Sequence, residues 1–488
     1  MMKRLGLLAM VTMLIVSGLL ACSNEKSSNN TQANEKASTD EHVELLWYLI
    51  GTPQQDLDTV MEKVNEYTKE KINATIDLRL LDWGEFNDRM QVITTSGEAY
   101  DIAFTSSWAN NYALNARRGA FLELNDLMDQ YGKEMKELID PAFLEGAKLD
   151  GELYAVPTNK EVGQQAVLSF NNELVEKHGL DISTVSSLAD LEPLLAVIKE
   201  KEPNVSPIAT FDAFLPFDSI LQEEMPFAFR LDGNTDEVIN KYEEEITMKT
   251  LKTMHSYYNK GFIRPDAATS TDSWPLETPN WFVRKELYQP YAESIWSRSA
   301  GYEIVTRPLQ EPYVFNGSVT GSMQAISATS KNPERAMMFL NLLNSDPYLR
   351  NLLDKGIEGI HYEENEDGKI KDLPARVEKY NMPSFAIGNQ LILKLYEDDP
   401  EDKWDAFKEF NENSIPSPVL GFYFDSNPVR SEIAAISNVS SEFAPALLKG
   451  AVDPEQYIPA FNEKLKQAGM DKVLEEIQKQ YDEWKANQ

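Results

Sequence analysis

Aromatic side chains stand next to polar side chains at several places where the sequence predicts loops. A ring offers an apolar wall and its polar neighbours offer hydrogen-bonding groups, a combination typical of small-ligand sites. Trp83 and Trp108 are the principal candidates because each follows an expected strand. The full set of candidate ligand-binding residues is Trp47, Tyr48, Asp82, Trp83, Ser106, Trp108, Tyr154, Trp281, Glu293, Trp296, Asn316, Phe422, Tyr423 and Asp425.

These residues also have structural interpretations. Large aromatic side chains are usually buried, so core packing is the alternative for each ring. Asp82 can cap the helix that follows it, and Tyr154 can pack at a hinge. Asn316 can form a tight turn in which Gly317 and Gly321 allow close approach of the backbone.

The first residues predict export and a lipid anchor. Lys3 and Arg4 precede a short apolar run, and small residues then lead to Cys22, as in a secretory signal. The run is shorter than the ~20 residues that a membrane span needs. Leu19-Leu20-Ala21-Cys22 resembles the lipobox of bacterial lipoproteins, which implies a signal peptide at 1–21 and a diacylglyceryl group on Cys22. Residues 22–42 are mostly polar and predict a disordered tether.

The composition excludes several classes of function. Seventy-nine acidic and 46 basic side chains give a formal net charge of −33, so we expect no nucleic-acid partner, because phosphate backbones would be repelled. The sequence has one cysteine, and no internal disulfide can form. Its four histidines are far apart, and no Walker loop, zincin helix or nucleophile elbow occurs. We therefore expect no metal site, no cofactor and no catalytic residue.

The order of the elements predicts a parallel sheet. An apolar run at 43–50 indicates a buried strand. Alternation of apolar and polar residues at 76–80 indicates a second strand, and the run at 101–104 indicates a third. An amphipathic helix precedes the second strand, and another precedes the third. This order implies right-handed crossovers and a parallel sheet. Ligands bind such sheets at the carboxyl ends of the strands, here near residues 48–53, 82–83 and 106–108.

Taken in order, these parts resemble the extracellular solute-binding proteins of ABC importers, particularly the maltose-type, oligosaccharide-binding branch. The resemblance is carried by the lipobox at Cys22, by Trp47-Tyr48, Ala99-Tyr100-Asp101-Ile102, Gly151-Glu152-Leu153-Tyr154-Ala155-Val156-Pro157, the segment 317–327 and Asn332-Pro333-Glu334-Arg335-Ala336. Further along, Gly421-Phe422-Tyr423-Phe424-Asp425 resembles part of the C-terminal module of a lipoprotein subgroup that includes the LplA-type binding proteins of Gram-positive bacteria.

The resemblance implies an α/β, two-lobed periplasmic-binding-protein-like fold. Each lobe would be a sheet flanked by helices, with the ligand cleft at the hinge. Lobe one would combine residues 43–157 with 302–345. Lobe two would combine 158–301 with 346–488, including the C-terminal module at about 416–488.

The same resemblance implies that the protein captures a carbohydrate, most simply an oligosaccharide, by cleft closure and delivers it to ABC permease subunits. The protein would be a monomer, anchored through Cys22 at the extracellular face of the cell membrane. Three alternatives remain open. An extracellular glycosidase or lyase would hold two carboxylates at a set distance, a sensory or adhesion lipoprotein would use the same body to signal, and the same fold can capture a peptide or a metal.

Overall fold

The computed structural model describes residues 41–231, 236–270 and 274–487. The strands are β1 (Val43–Ile50), β2 (Ala74–Leu81), β3 (Ile102–Thr105), β4 (Ala155–Pro157), β5 (Gly163–Asn171), β6 (Ser206–Ile208), β7 (Phe217–Ser219), β8 (Phe227–Arg230), β9 (Ile239–Asn240), β10 (Trp281–Tyr288), β11 (Ile304–Pro308), β12 (Tyr313–Val314), β13 (Met323–Ile326), β14 (Tyr362–Glu364), β15 (Ile370–Asp372) and β16 (Ile415–Pro416).

The helices are α1 (Leu57–Ile72), α2 (Phe86–Ser96), α3 (Tyr112–Arg117), α4 (Asn125–Tyr131), α5 (Lys133–Leu138), α6 (Pro141–Gly146), α7 (Asn172–His178), α8 (Glu192–Lys201), α9 (Glu245–Asn259), α10 (Ala292–Ala300), α11 (Asn316–Val319), α12 (Pro333–Ser345), α13 (Pro347–Lys355), α14 (Pro374–Glu378), α15 (Lys403–Asn413), α16 (Arg430–Leu448), α17 (Pro454–Gln467) and α18 (Met470–Ala486). Within the described ranges, no helix is long and apolar enough to cross a membrane.

The first sheet has the strand order β2-β1-β3-β13-β4, with β1 parallel to both β2 and β3. Helix α1 covers it with an apolar face formed by Val60, Met61 and Val64, which are all buried. The strand–helix–strand–helix–strand order expected from the sequence is confirmed. Because β2 and β3 lie on opposite sides of β1, the chain changes direction there, and the loops after β1 and β3 flank a crevice where ligands bind in such sheets.

The second sheet is built around β5, which is antiparallel to β10, β11 and β12. Its order is β16-β12-β5-β10-β6, and β11 also pairs with β5. Each sheet has its own hydrophobic core, and helices α16–α18 pack on the second one. The expected α/β class, with two sheets flanked by helices, is confirmed.

Residues 346–387 differ from the expected division of the chain. We expected everything after residue 345 to pack with the second lobe, but Leu349, Leu353 and Tyr380 lie in the first core. The reason is local: only Asp346 separates α12 from α13, so α13 follows α12 onto the same core, and Tyr67 of α1 donates a 2.6 Å hydrogen bond to Asp346. The remaining lobe boundaries stay a prediction.

The chain passes between the two cores near residues 157–163, 314–319 and 411–419. Hydrogen bonds join these segments: Val162 N donates to Asn411 Oδ1 at 2.8 Å, and Ser417 N donates to the Val314 carbonyl at 2.9 Å. Gly163 is required here, because a Cβ at this position would lie 2.8 Å from a ring carbon of Phe410. The three segments therefore form a closely packed hinge.

Candidate functional site

Three aromatic rings form a cluster at the carboxyl edge of the first sheet. The ring centroids of Trp83 and Trp108 are 6.3 Å apart with planes inclined by 15°, and Phe385 lies 6.1 Å from the first and 6.3 Å from the second. Trp83 and Trp108 remain 46% and 49% exposed, although large aromatic side chains are usually buried. We call Trp83, Trp108 and Phe385 the aromatic platform. It presents a broad apolar surface to solvent.

The turn after β3 fixes Trp108. Ser106 Oγ accepts hydrogen bonds from the backbone N–H of Trp108 at 3.3 Å and of Ala109 at 2.8 Å. The indole Nε1 then donates to the carbonyl of Gly321, just before β13, at 2.8 Å. The ring is thus held at both ends. The expectation for Ser106 itself is corrected: it is fully buried, and its hydroxyl shapes the turn.

Trp83 and Phe385 come from distant parts of the chain. Trp83 lies in the turn that opens α2, where the Asp82 carbonyl accepts hydrogen bonds from Glu85 N and Phe86 N, each at 2.9 Å. Phe385 lies in a short 3₁₀ turn, and its carbonyl accepts a 2.7 Å hydrogen bond from Ser322 Oγ. Asp82 is exposed, with Oδ1 only 3.4 Å from Gly84 N, so it helps to form this turn. Phe385 gave no signal in the sequence.

A groove of about 540 Å³ continues from the platform. Its walls are the loop after β1 and the segment after α14, and Gln54 joins them by accepting a 2.6 Å hydrogen bond from Asn381 N. We call it the side groove, and it is lined by residues 51–55, 83, 377–379, 381–383 and 385. Because Trp83 and Phe385 belong to both features, the platform and the side groove form one continuous surface.

A smaller hollow, of about 110 Å³, lies on the second sheet and carries polar groups. Asp212 Oδ1 is buried with no hydrogen-bond partner among the described residues. Lys241 is 2% exposed, and burial lowers its pKa to about 8 although Glu223 and Glu224 act in the opposite direction. Phe315 also lines this hollow. We did not foresee the hollow, because its residues come from separate loops and strands.

Chain geometry limits the distance between the hollow and the platform. Phe315 lines the hollow, and Gly321 holds the Trp108 indole. The six residues from Phe315 to Gly321 span at most about 20 Å when the chain is fully extended. The distance is shorter in this structure because four of these residues form α11, and a helix advances less per residue than an extended chain. The hollow and the platform are therefore joined by one short segment, because Phe315 lines the first and Gly321 accepts the hydrogen bond of Trp108 in the second.

Comparisons with known proteins agree with this geometry. The model of the bacterial extracellular solute-binding protein family matches residues 51–349, and a domain of unknown function (DUF3502) matches residues 418–486. A carbohydrate ABC transporter substrate-binding protein of Streptococcus pneumoniae serotype 4 is 38% identical over 97% of this chain and 96% of its own length. This chain belongs to the bacterial extracellular solute-binding proteins.

Solved structures of a relative extend the comparison. A crystal structure of the N-glycan transport solute-binding protein NgtS from Streptococcus pneumoniae is 38% identical, with a TM-score of 0.84, and covers 91% of this chain and 99% of that one. Structures of NgtS in complex with Man1GlcNAc and Man5GlcNAc give TM-scores of 0.74 and 0.71, over 90% and 92% of this chain and 99% of each of those chains.

In this solute-binding protein, several predicted ligand residues prove to be core residues. Trp47 is fully buried in β1, where its Nε1 donates a 2.8 Å hydrogen bond to Gln324. Tyr48 is 4% exposed, and Trp281 is buried in β10. The expectation for these three is corrected for a common reason: each ring belongs to a strand and is buried, whereas Trp83 and Trp108 follow a strand end.

Two further candidates of this solute-binding protein, Glu293 and Trp296, belong to α10. Glu293 Oε1 accepts hydrogen bonds from Thr306 N at 2.5 Å and from Thr306 Oγ1 at 2.7 Å, so it links α10 to β11. Trp296 is half-buried and packs with Trp281 in a small cluster on the second sheet. The structure places neither of them at the platform.

Tyr154 packs against the first core, whereas Asn316 and Tyr423 connect elements near the hinge. Tyr154 is half-buried against the first core, and burial raises its pKa. Asn316 Nδ2 donates to the Phe422 carbonyl at 2.7 Å, and its Oδ1 accepts from Gly421 N at 2.7 Å, so it ties α11 to the loop before α16. Tyr423 reaches the first core by donating to the Gly146 carbonyl.

The last two candidates of this solute-binding protein are part of its C-terminal module. Phe422 is 3% exposed and packs in the second core, so its expected ligand contact is corrected. Asp425 Oδ1 accepts a 3.1 Å hydrogen bond from Asn427 N and starts the turn before α16. Cys22, the signal peptide and nearly all of the expected tether lie outside the described residues.

Proposed function

We propose that this protein captures an oligosaccharide of the N-glycan type and delivers it to the permease of an ABC importer. The observation that carries the proposal is the aromatic platform: two half-exposed tryptophans and a phenylalanine at the carboxyl edge of a parallel sheet. The relative whose structures contain Man1GlcNAc and Man5GlcNAc supports the choice of ligand, because it is 38% identical along almost the whole chain.

The chemistry of the platform suits a pyranose. A sugar ring has apolar C–H faces and a rim of hydroxyl groups. Trp83 and Trp108 pack against the faces, which removes apolar surface from water. Hydroxyl groups need hydrogen-bond partners when they are buried, and the unpartnered Asp212 carboxylate oxygen of the hollow on the second sheet offers one. The two surfaces therefore have complementary roles.

Capture proceeds by closure of the two lobes around the hinge. The TM-score falls from 0.84 for the NgtS structure described without a glycan to 0.74 and 0.71 for the two glycan complexes, at the same sequence identity. This trend supports the inference that the described conformation is the open, ligand-free one. A glycan that contacts both surfaces binds the closed state more tightly, and this difference in affinity shifts the equilibrium.

The remaining features of the proposal concern location. A lipid on Cys22 would hold a monomer at the extracellular face of the membrane, and two acyl chains are enough for durable anchoring. The polar residues from 23 to about 40 would give the folded body reach towards the permease.

A single set of measurements tests the proposal. Titration calorimetry with Man5GlcNAc should give one site per chain, small-angle scattering should show a smaller radius of gyration at saturation, and chromatography should recover the glycan uncut. Absence of binding to Man5GlcNAc would refute the glycan class. Binding without compaction would refute closure, and a cleaved glycan would favour a glycosidase.

A further inference from the structure

The side groove is a cavity that adjoins the aromatic platform but extends beyond it. Its volume of about 540 Å³ lies in the range of small-ligand sites, about 300–1,000 Å³. It begins where the platform ends, since Trp83 and Phe385 line both. A chain of sugar rings that leaves the platform over Trp83 enters the groove without crossing solvent.

Hydrogen bonds hold the walls of the groove in place. Gln54 uses both ends of its amide: Oε1 accepts from Asn381 N and Nε2 donates to the Thr52 carbonyl, each at 2.6 Å. Asp56 N donates to the Lys379 carbonyl at 3.2 Å. A ligand that enters therefore has little backbone to order, which reduces the cost of binding.

The lining indicates the chemistry of the occupant. Pro53, Val377 and Pro383 offer apolar surface, and Thr52 and Gln55 offer hydroxyl and amide groups on the rim. The charged side chains in the lining are Glu378 and Lys379, whose formal charges cancel. This mixture of apolar and polar groups, with no net formal charge, suits neutral pyranose rings.

We infer that the side groove is a second subsite, which takes the neutral sugar rings of a glycan that extend beyond those on the platform. The inference rests on the proposed function, because it assumes that the platform holds a glycan. It adds that a longer glycan is recognised by surface that a disaccharide does not touch.

Two valines provide a matched test. Val377 in the groove is 65% exposed, and Val92 on α2, outside the groove, is 64% exposed. In the full chain with Cys22→Ser, either Val377→Cys or Val92→Cys supplies the single thiol. The rate at which a maleimide modifies this thiol is measured without glycan, with saturating Man1GlcNAc and with saturating Man5GlcNAc. Because such sites enclose most of the ligand that they bind, a sugar ring in the groove covers the thiol, and Man5GlcNAc should slow modification at position 377 by about tenfold. Man1GlcNAc should leave that rate within about twofold, and neither glycan should change the rate at position 92.

The outcomes separate this inference from the proposed function. If Man5GlcNAc binds by calorimetry but leaves the rate at position 377 unchanged, the subsite is refuted and glycan capture stands. If Man1GlcNAc protects position 377 equally, closure or the main site covers the groove, and the second subsite is refuted. If neither glycan binds the wild-type chain, the proposed glycan class fails and the subsite falls with it.

Discussion

Replacing Trp108 by alanine tests whether the aromatic platform is the main glycan contact. The indole is 49% exposed and held by its hydrogen bond to Gly321, so the ring is already oriented before a ligand arrives. Trp108→Ala removes the ring but leaves the turn, which depends on the hydroxyl of Ser106. We therefore expect an intact fold with weakened binding.

The size of the effect follows from the exposed area of the ring. A tryptophan buries about 150–250 Å² when it is fully covered, so the exposed half of Trp108 offers about 100 Å² to a ligand. At ~25 cal/mol per Å², covering it contributes about 2.5 kcal/mol, and covering one face only about half of that. The dissociation constant should therefore rise about 7- to 60-fold. Trp108→Phe keeps a smaller ring without the indole donor and should give an intermediate loss.

Calorimetry with Man5GlcNAc provides the assay, with thermal unfolding measured in parallel. Tyr348→Ala is the matched control, because Tyr348 is 56% exposed and packs against Tyr67, away from the platform. It should leave the dissociation constant within about twofold. The reasoning is refuted if Trp108→Ala binds the glycan as tightly as the wild type while its melting temperature is unchanged.

Three further substitutions test stability and the hinge. Asp354 is fully buried between the cations of Arg350 and Lys355, and Asp354→Asn should cost about 3–5 kcal/mol of unfolding free energy in denaturant titrations. Asp405→Asn, the control on an exposed carboxylate, should cost less than about 0.5 kcal/mol. Equal effects of the two substitutions would contradict this account. Burial raises the pKa of Asp218 from 3.8 to about 6, so its unfavourable contribution to the free energy of unfolding is absent below pH 4 and develops as the pH rises through 6. Asp218→Asn should therefore stabilise the protein by about 2–3 kcal/mol at pH 8 relative to its effect at pH 4. An effect of this substitution that does not depend on pH would argue against the account. Asn316→Ala should lower the melting temperature with little loss of glycan affinity, since both ends of its amide are already hydrogen-bonded to the backbone of residues 419–422. Lost affinity at unchanged stability would return Asn316 to the binding site.

The sequence predicted where Trp83 and Trp108 lie, because the pattern of strands and the edge of the sheet at which ligands bind both have a physical basis. Alternating and apolar runs predicted β1, β2 and β3, and their parallel order predicted the edge at which ligands bind. Trp83 and Trp108 lie at that edge. Their contact with a glycan stays a prediction, but their exposure and mutual position are what the pattern requires.

The same reasoning misplaced Trp47 and Trp281, because a residue type does not report burial. Trp47 lies within β1 and Trp281 is the first residue of β10, and both are fully buried. Local sequence does not distinguish a ring inside a strand or at its start from one that follows its end unless the bounds of the strand are known. The error thus lies in the element boundary, which is the least certain feature of a sequence pattern.

Phe385 and Asp212 were out of reach for another reason. Phe385 is brought to the platform and Asp212 to the hollow by tertiary packing alone. Ser322 and Gln324, far away in the sequence, hold the turn that carries Phe385. Loops carry recognition on a fixed scaffold, so we expect substitutions in the segment 377–385 to change the length of glycan accepted without altering the sheet beneath it. The ratio of the affinities for Man5GlcNAc and Man1GlcNAc, rather than either affinity alone, therefore measures the contribution of this segment to glycan binding.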